Sequence, residues 1–104
     1  MEEAIETAIL EKGLTAPRIT PSHIESVIMI GIYHRLTDVL TVCVLTLRNG
    51  FVVTGESACA SPENYNEEIE NRVALENARE KIWQLEGYLL KERLYQEAPK
   101  GVAG

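Results

Sequence analysis

"DVLTVCVLTLRNGFVVTGESAC", residues 38–59, decides the fold. Two runs rich in Val, Thr, Leu and Phe flank Arg48, Asn49 and Gly50. β-Branched and aromatic side chains suit a pleated, half-buried surface. Asn-Gly between two such runs predicts an antiparallel hairpin with a two-residue type I′ turn, in which both turn residues take positive φ. Upstream, "VIMIGIYHRL", residues 27–36, has the same character and predicts another strand, joined to the next by a turn near Thr37 and Asp38. The expected sheet therefore has three antiparallel strands.

Such a sheet needs a cover, and the chain supplies one after Pro62. Leu75, Ala78, Ile82, Leu85 and Leu89 recur at alternating spacings of 3 and 4, which draws an apolar seam along one long helix. Leu90 and Leu94 widen the seam. Gly87 interrupts it at a cost of about 1 kcal/mol relative to Ala, and suggests close approach of another backbone or a bend. The seam suits the sheet, a second copy of itself, or both. Before the sheet, residues 2–13 read as a short helix with acidic residues in its first turn, an Ala4, Ile5, Ala8, Ile9 stripe and a terminal Gly13. Thr20 caps a second short helix that begins at Pro21. The expected fold class is α+β: one domain over residues 1–95, then a flexible tail, "QEAPKGVAG", over 96–104.

A chain of 104 residues, 45% hydrophobic and 25% charged, supports one modest core. Its net charge of −6, from 16 acidic and 10 basic side chains, opposes binding to DNA or RNA polymers. A local basic cluster can still hold a small anion. No apolar run approaches the roughly 20 residues of a membrane span. The acidic start, MEEAIE, does not resemble a secretory signal. Cys43 and Cys59 form no CxxC pair and read as reduced thiols of a cytoplasmic protein.

Catalytic patterns are missing from the sequence. His23 and His34 have no ligand spacing, and Ser22, Ser26, Ser57 and Ser61 have no neighbouring base and orienting acid. We therefore expect no enzyme, no metal and no cofactor. What remains suits a small, flat, anionic molecule. Tyr65 offers a ring for stacking, or else fixes the start of the long helix. Asn77 lies beside the seam with Lys81 and Tyr88, and can bond the edge of a ring. Arg72, Lys91 and Arg93 are candidate phosphate partners. Arg18 stands in a stiffened loop between Pro17 and Thr20, where a long side chain is easily pre-aimed.

"KGLTAPRITPSHIE", "GESACASPENYNEEI" and "ALENAREKIWQLEGYLL" resemble a family of small tailed-phage and prophage proteins, over roughly residues 12 to 95. Within or close to that family lie the anti-Thoeris sponges, which bind cyclic ADP-ribose isomers and remove this immune signal without destroying it. Some members also bind cyclic dinucleotides or trinucleotides in a higher oligomer. The chain departs from the usual pattern in having Tyr65 for Phe, Glu70 for Gly, and Gln84 where Pro often follows the Trp. The resemblance implies that Tyr65 stacks on adenine, that Asn77 bonds the ring or ribose, and that Lys91 and Arg93 hold the pyrophosphate. It also suggests Arg18 for a second, cyclic-oligonucleotide site. It implies a homodimer or a higher homo-oligomer such as a hexamer, working in the host cytoplasm. A rival enzyme would degrade the same nucleotides through His34, Glu56 or Asp38. A second rival would inhibit a host protein by docking the acidic face of the helix onto it.

Overall fold

The structure is a computed structural model and describes residues 2–99. Its elements run α1 (Glu2–Glu11), α2 (Pro21–Val27), β1 (Ile28–Arg35), β2 (Leu40–Leu47), β3 (Val52–Ala58), a 3-10 turn (Pro62–Asn64) and α3 (Glu67–Glu97). The three strands form one antiparallel sheet in the order β1-β2-β3, beside a long C-terminal helix: the α+β class that the sequence predicts.

The β2–β3 hairpin forms where Asn-Gly placed it, but with a different turn. Gly50 has φ +90, whereas no residue other than glycine has positive φ among those described. Asn49 is therefore not in the left-handed region, and the turn is not type I′. Gly50 N–H donates to Leu47 O at 2.8 Å and Leu47 N–H donates to Phe51 O at 2.8 Å. This is a three-residue loop, Arg48-Asn49-Gly50, in which only the last residue needs positive φ. The Asn49 side chain accepts from Phe51 N–H at 3.0 Å, a local bond that favours this longer loop.

Thr20 caps α2 as expected, with its hydroxyl accepting from His23 N–H at 3.1 Å. α2 buries Ile24 and Val27. On β2, inward Thr41, Cys43, Leu45 and Leu47 are buried and alternate with half-buried outward residues. On β3, buried Val53, Gly55 and Ser57 alternate with mostly exposed outward residues. α3 closes this surface with Ala74, Ala78 and Ile82, an i, i+4, i+8 line. Gly55 sets how close the helix comes: a Cβ added there would clash with the backbone N of Ala78 and the backbone O of Ala74. Helix and strand meet backbone to backbone, and only alanines and a glycine allow it.

α3 lies over β2 and β3, leaving β1 exposed along most of its length. The seam is buried only in part. Leu75 is half-buried, but Leu85 and Leu89 are 37% and 59% exposed. The reason is length. Thirty-one helical residues span about 46 Å, whereas eight strand residues span about 26 Å. The second half of α3 overhangs the sheet. Gly87 lies on that overhang with nothing within 4 Å of a built Cβ, so no backbone of this chain approaches it. The helix runs to Glu97, into the segment expected to be tail; residues 100–104 of that segment lie outside the described residues.

α1 forms over Glu2–Glu11, and Gly13 with φ +65 ends it. None of its residues is buried, and Ile5 is 56% exposed. Of the apolar stripe, Ala4, Ile5 and Ala8 are exposed and Ile9 alone is half-buried. Among the described residues no helix is long and apolar enough to cross a membrane.

Candidate functional site

The 3-10 turn at Pro62–Asn64 delivers Tyr65 to the start of α3, where the Asn66 side chain caps the helix by accepting from Ile69 N–H at 3.0 Å. The Tyr65 hydroxyl shares a 2.6 Å hydrogen bond with the hydroxyl of fully buried Thr41. Arg35 lies over the same ring, its guanidinium carbon 3.6 Å from the ring centroid. Arg35 also donates to Asp38 O at 2.7 Å, which ties it to the β1–β2 turn. The result is a flat guanidinium stacked on an aromatic face. The Tyr65 ring carries a planar cation of the chain itself, and its hydroxyl ties the start of α3 to β2.

Sequence reasoning missed Arg35. Its signal lies in register: Arg35 pairs with Thr41, so it shares the inner face with that buried threonine. Alternation along β1 carries this information only after the pairing is known. Tyr33 lies on the same face, opposite Cys43. Burial pushes the Cys43 thiol up, with Tyr33 beside it pulling it partly back. Desolvation and then Cys43 push the Tyr33 phenol up. Both groups are neutral near pH 7, and the thiol is no nucleophile.

The other predicted residues are dispersed. Asn77 donates to Glu56 O at 2.7 Å, tethering α3 to β3. Glu70, which stands where the resembling family usually has Gly, is buried and accepts from Ser57 Oγ at 2.6 Å. Arg18 is indeed pre-aimed, but at α1: it donates to both Glu6 oxygens, at 2.5 and 3.0 Å. Arg72 lines the groove between α1, α2 and α3. Lys91 and Arg93 are exposed on the overhang, where Arg93 meets Glu97 at 3.8 Å. Along α3, Tyr65 and Arg93 stand about 40 Å apart at 1.5 Å per residue. Within one chain these six residues do not form one site.

Two grooves flank α3. One, of about 640 Å³, lies between the overhang and the β2–β3 hairpin, lined by Phe51, Val52, Leu85, Tyr88 and Leu89 with Lys81. The other, of about 1100 Å³, lies beneath α1 and includes Trp83, Leu75, Arg72 and Arg79. Arg79 was also missed. It donates to both oxygens of Glu2 and to Glu25 Oε2 at distances of 2.8–3.1 Å. Among the described residues, no three His, Cys, Asp or Glu side chains converge as a metal site needs.

No curated protein and no solved structure matches the chain. Residues 19–94 take in the sheet, α2, the Arg35–Tyr65 pair and most of α3, but not α1 or Arg18. That segment matches the phage protein (N4 Gp49/phage Sf6 gene 66) family, and the chain belongs to it.

Proposed function

We propose that this phage-family protein binds a cyclic nucleotide immune signal, with a cyclic ADP-ribose isomer as first candidate, and sequesters it unchanged in the host cytoplasm. The observation that carries the reading is the Arg35 guanidinium stacked on Tyr65. Aromatic rings and guanidinium planes are the surfaces on which nucleobases stack, and a guanidinium also holds phosphate. Membership in a phage family also supports the reading, since the anti-Thoeris sponges lie within or close to the family that the three sequence phrases resemble.

Tyr65 and Arg93 lie too far apart to grip one nucleotide within a single chain. A second copy solves this if two α3 helices run antiparallel, because Lys91 and Arg93 of one copy then approach Tyr65 of the other. The exposed Leu85, Tyr88 and Leu89 on the overhang supply apolar surface for that association. Two-fold symmetry would give two equal sites per dimer. A small domain gains a deep pocket this way, since each copy contributes one wall. Capture by mass action needs tight binding, and a dissociation constant near 1 nM corresponds to about −12 kcal/mol.

The test is capture and release. Protein mixed with cyclic ADP-ribose from a TIR enzyme should block activation of the downstream effector. Heating should then return the nucleotide at its original mass and activity. Recovery of a cleaved product would make the protein an enzyme, and an undiminished signal before heating would exclude this ligand.

A further inference from the structure

The contacts that hold α1 differ in kind from those that hold the rest of the fold. The face that α1 turns inward carries Glu2, Glu6 and Ile9, all half-buried, and no residue of the helix is fully buried. Two carboxylates tie it down. Glu2 is gripped by Arg79 and accepts from the Trp83 indole N–H at 3.2 Å. Glu6 is gripped through both oxygens by Arg18. Water reaches both clamps: Glu6 and Arg18 side chains are 26% and 25% exposed, and Glu2 is 33% exposed, against 13% for Arg79. Partly solvated ion pairs hold weakly, whereas buried apolar contacts do not loosen with salt.

The connection to α2 allows movement. Residues 11–17 are all exposed, and Gly13 at φ +65 provides a flexible point at the helix end. The core is complete without α1, since its buried members come from α2, the sheet and α3. The segment that matches the phage family also begins after α1, at residue 19.

We propose that α1 is a releasable strap, latched over the α2–α3 groove by the Glu2–Arg79 and Glu6–Arg18 clamps, and that its opening uncovers the groove without unfolding the domain. Opening exposes Trp83, Leu75 and Ile19, frees the Arg18 guanidinium and leaves that of Arg79 with Glu25 alone. This inference does not depend on the cyclic-nucleotide reading, which rests on Tyr65 at the start of α3 and on Lys91 and Arg93 near its end, whereas the groove lies beside residues 72–83 between them.

The chain reports on the latch directly, because Trp83 is its sole tryptophan and bonds to Glu2. Glu2→Gln with Glu6→Gln keeps the shape of both side chains and removes their charge. In the full-length double variant, indole emission should shift to the red and acrylamide quenching should rise. Hydrogen exchange should show protection lost over residues 2–11 and kept in α3 and the sheet. Wild-type protein in about 1 M salt, where the Debye length is about 3 Å, should move in the same direction. Unchanged emission and unchanged protection over α1 would overturn the proposal, because the clamps would then not be the latch. Loss of protection in α3 and the sheet together with α1 would overturn it too, because α1 would then be an integral part of the fold.

Discussion

Gly55→Ala tests how the helix meets the sheet. Gly55 is on the inner face of β3, and an added Cβ would clash with the Ala78 N and Ala74 O atoms of α3. Overpacking usually costs about 1–3 kcal/mol, because side chains yield by changing rotamer. Here the obstacle is helix backbone on both sides, so the helix must lift from the sheet. That movement loosens Ala74, Ala78 and Ile82 together and strains the Asn77 bond to Glu56 O. The cost should lie at or above the upper end, about 3 kcal/mol. At about 4–8 °C per kcal/mol for a domain of this size, the melting temperature should fall by about 12–24 °C. Thermal melting by circular dichroism at fixed protein concentration measures it. Neither Ala74→Gly nor Ala78→Gly should rescue the variant, because neither removes the clashing backbone atoms. A Gly55→Ala protein melting within about 2 °C of the parent, well inside the range of surface substitutions, would refute the backbone-to-backbone contact.

Three further outcomes follow from the same structure. Ile82→Glu places a charge where the native side chain is 0% exposed and should cost about 3–5 kcal/mol; a variant with unchanged melting would contradict the burial of Ile82. Tyr65→Phe keeps the ring under Arg35 but removes the partner of the buried Thr41 hydroxyl, for a loss of about 1–3 kcal/mol in denaturant titration. A loss below about 0.5 kcal/mol would show that Thr41 is satisfied elsewhere. Acid should open α1. The Arg79 hydrogen bonds hold Glu2, and those of Arg18 hold Glu6, below the ordinary carboxylate value of 4.5. Folded-state values that are depressed contribute stability that is fully present above that pH and is lost as pH falls through the lower folded values. Glu25, the second carboxylate on Arg79, faces the same clamp. Trp83 emission should therefore be steady above about pH 4.5 and shift below it, and a transition centred above that value would contradict the clamps.

The sequence by itself determined the elements and their order. Branched runs either side of Arg48-Asn49-Gly50 specify a hairpin, Thr20-Pro21 specifies the start of α2, and the 3,4 spacing from Leu75 specifies a long helix. These signals are local: each depends on the φ/ψ preference of a few residues or on a period along one element. The turn type was less legible, because Asn-Gly fits both a two-residue loop and the last positions of a three-residue one, and strand register chose between them. The seam was legible as a stripe but not in its extent. Only the sheet's length decided that Ile82 is buried while Leu85 and Leu89 are not.

Contacts between distant parts of the chain were decided only by tertiary structure. Arg35 meets Tyr65 across 30 residues because strand pairing puts Arg35 beside Thr41, and the 3-10 turn after β3 brings the Tyr65 hydroxyl to the same threonine. Gly55 meets Ala74 and Ala78 because the helix crosses β3 at that point. Arg18 looked like a free, pre-aimed cation, and became the partner of Glu6 once α1 folded back over it. Charge pairing of this kind has no period in sequence: an arginine is available to any carboxylate the fold brings near. The sequence could nominate cations and rings, and only the packing of α1, β1 and α3 decided which of them were already taken.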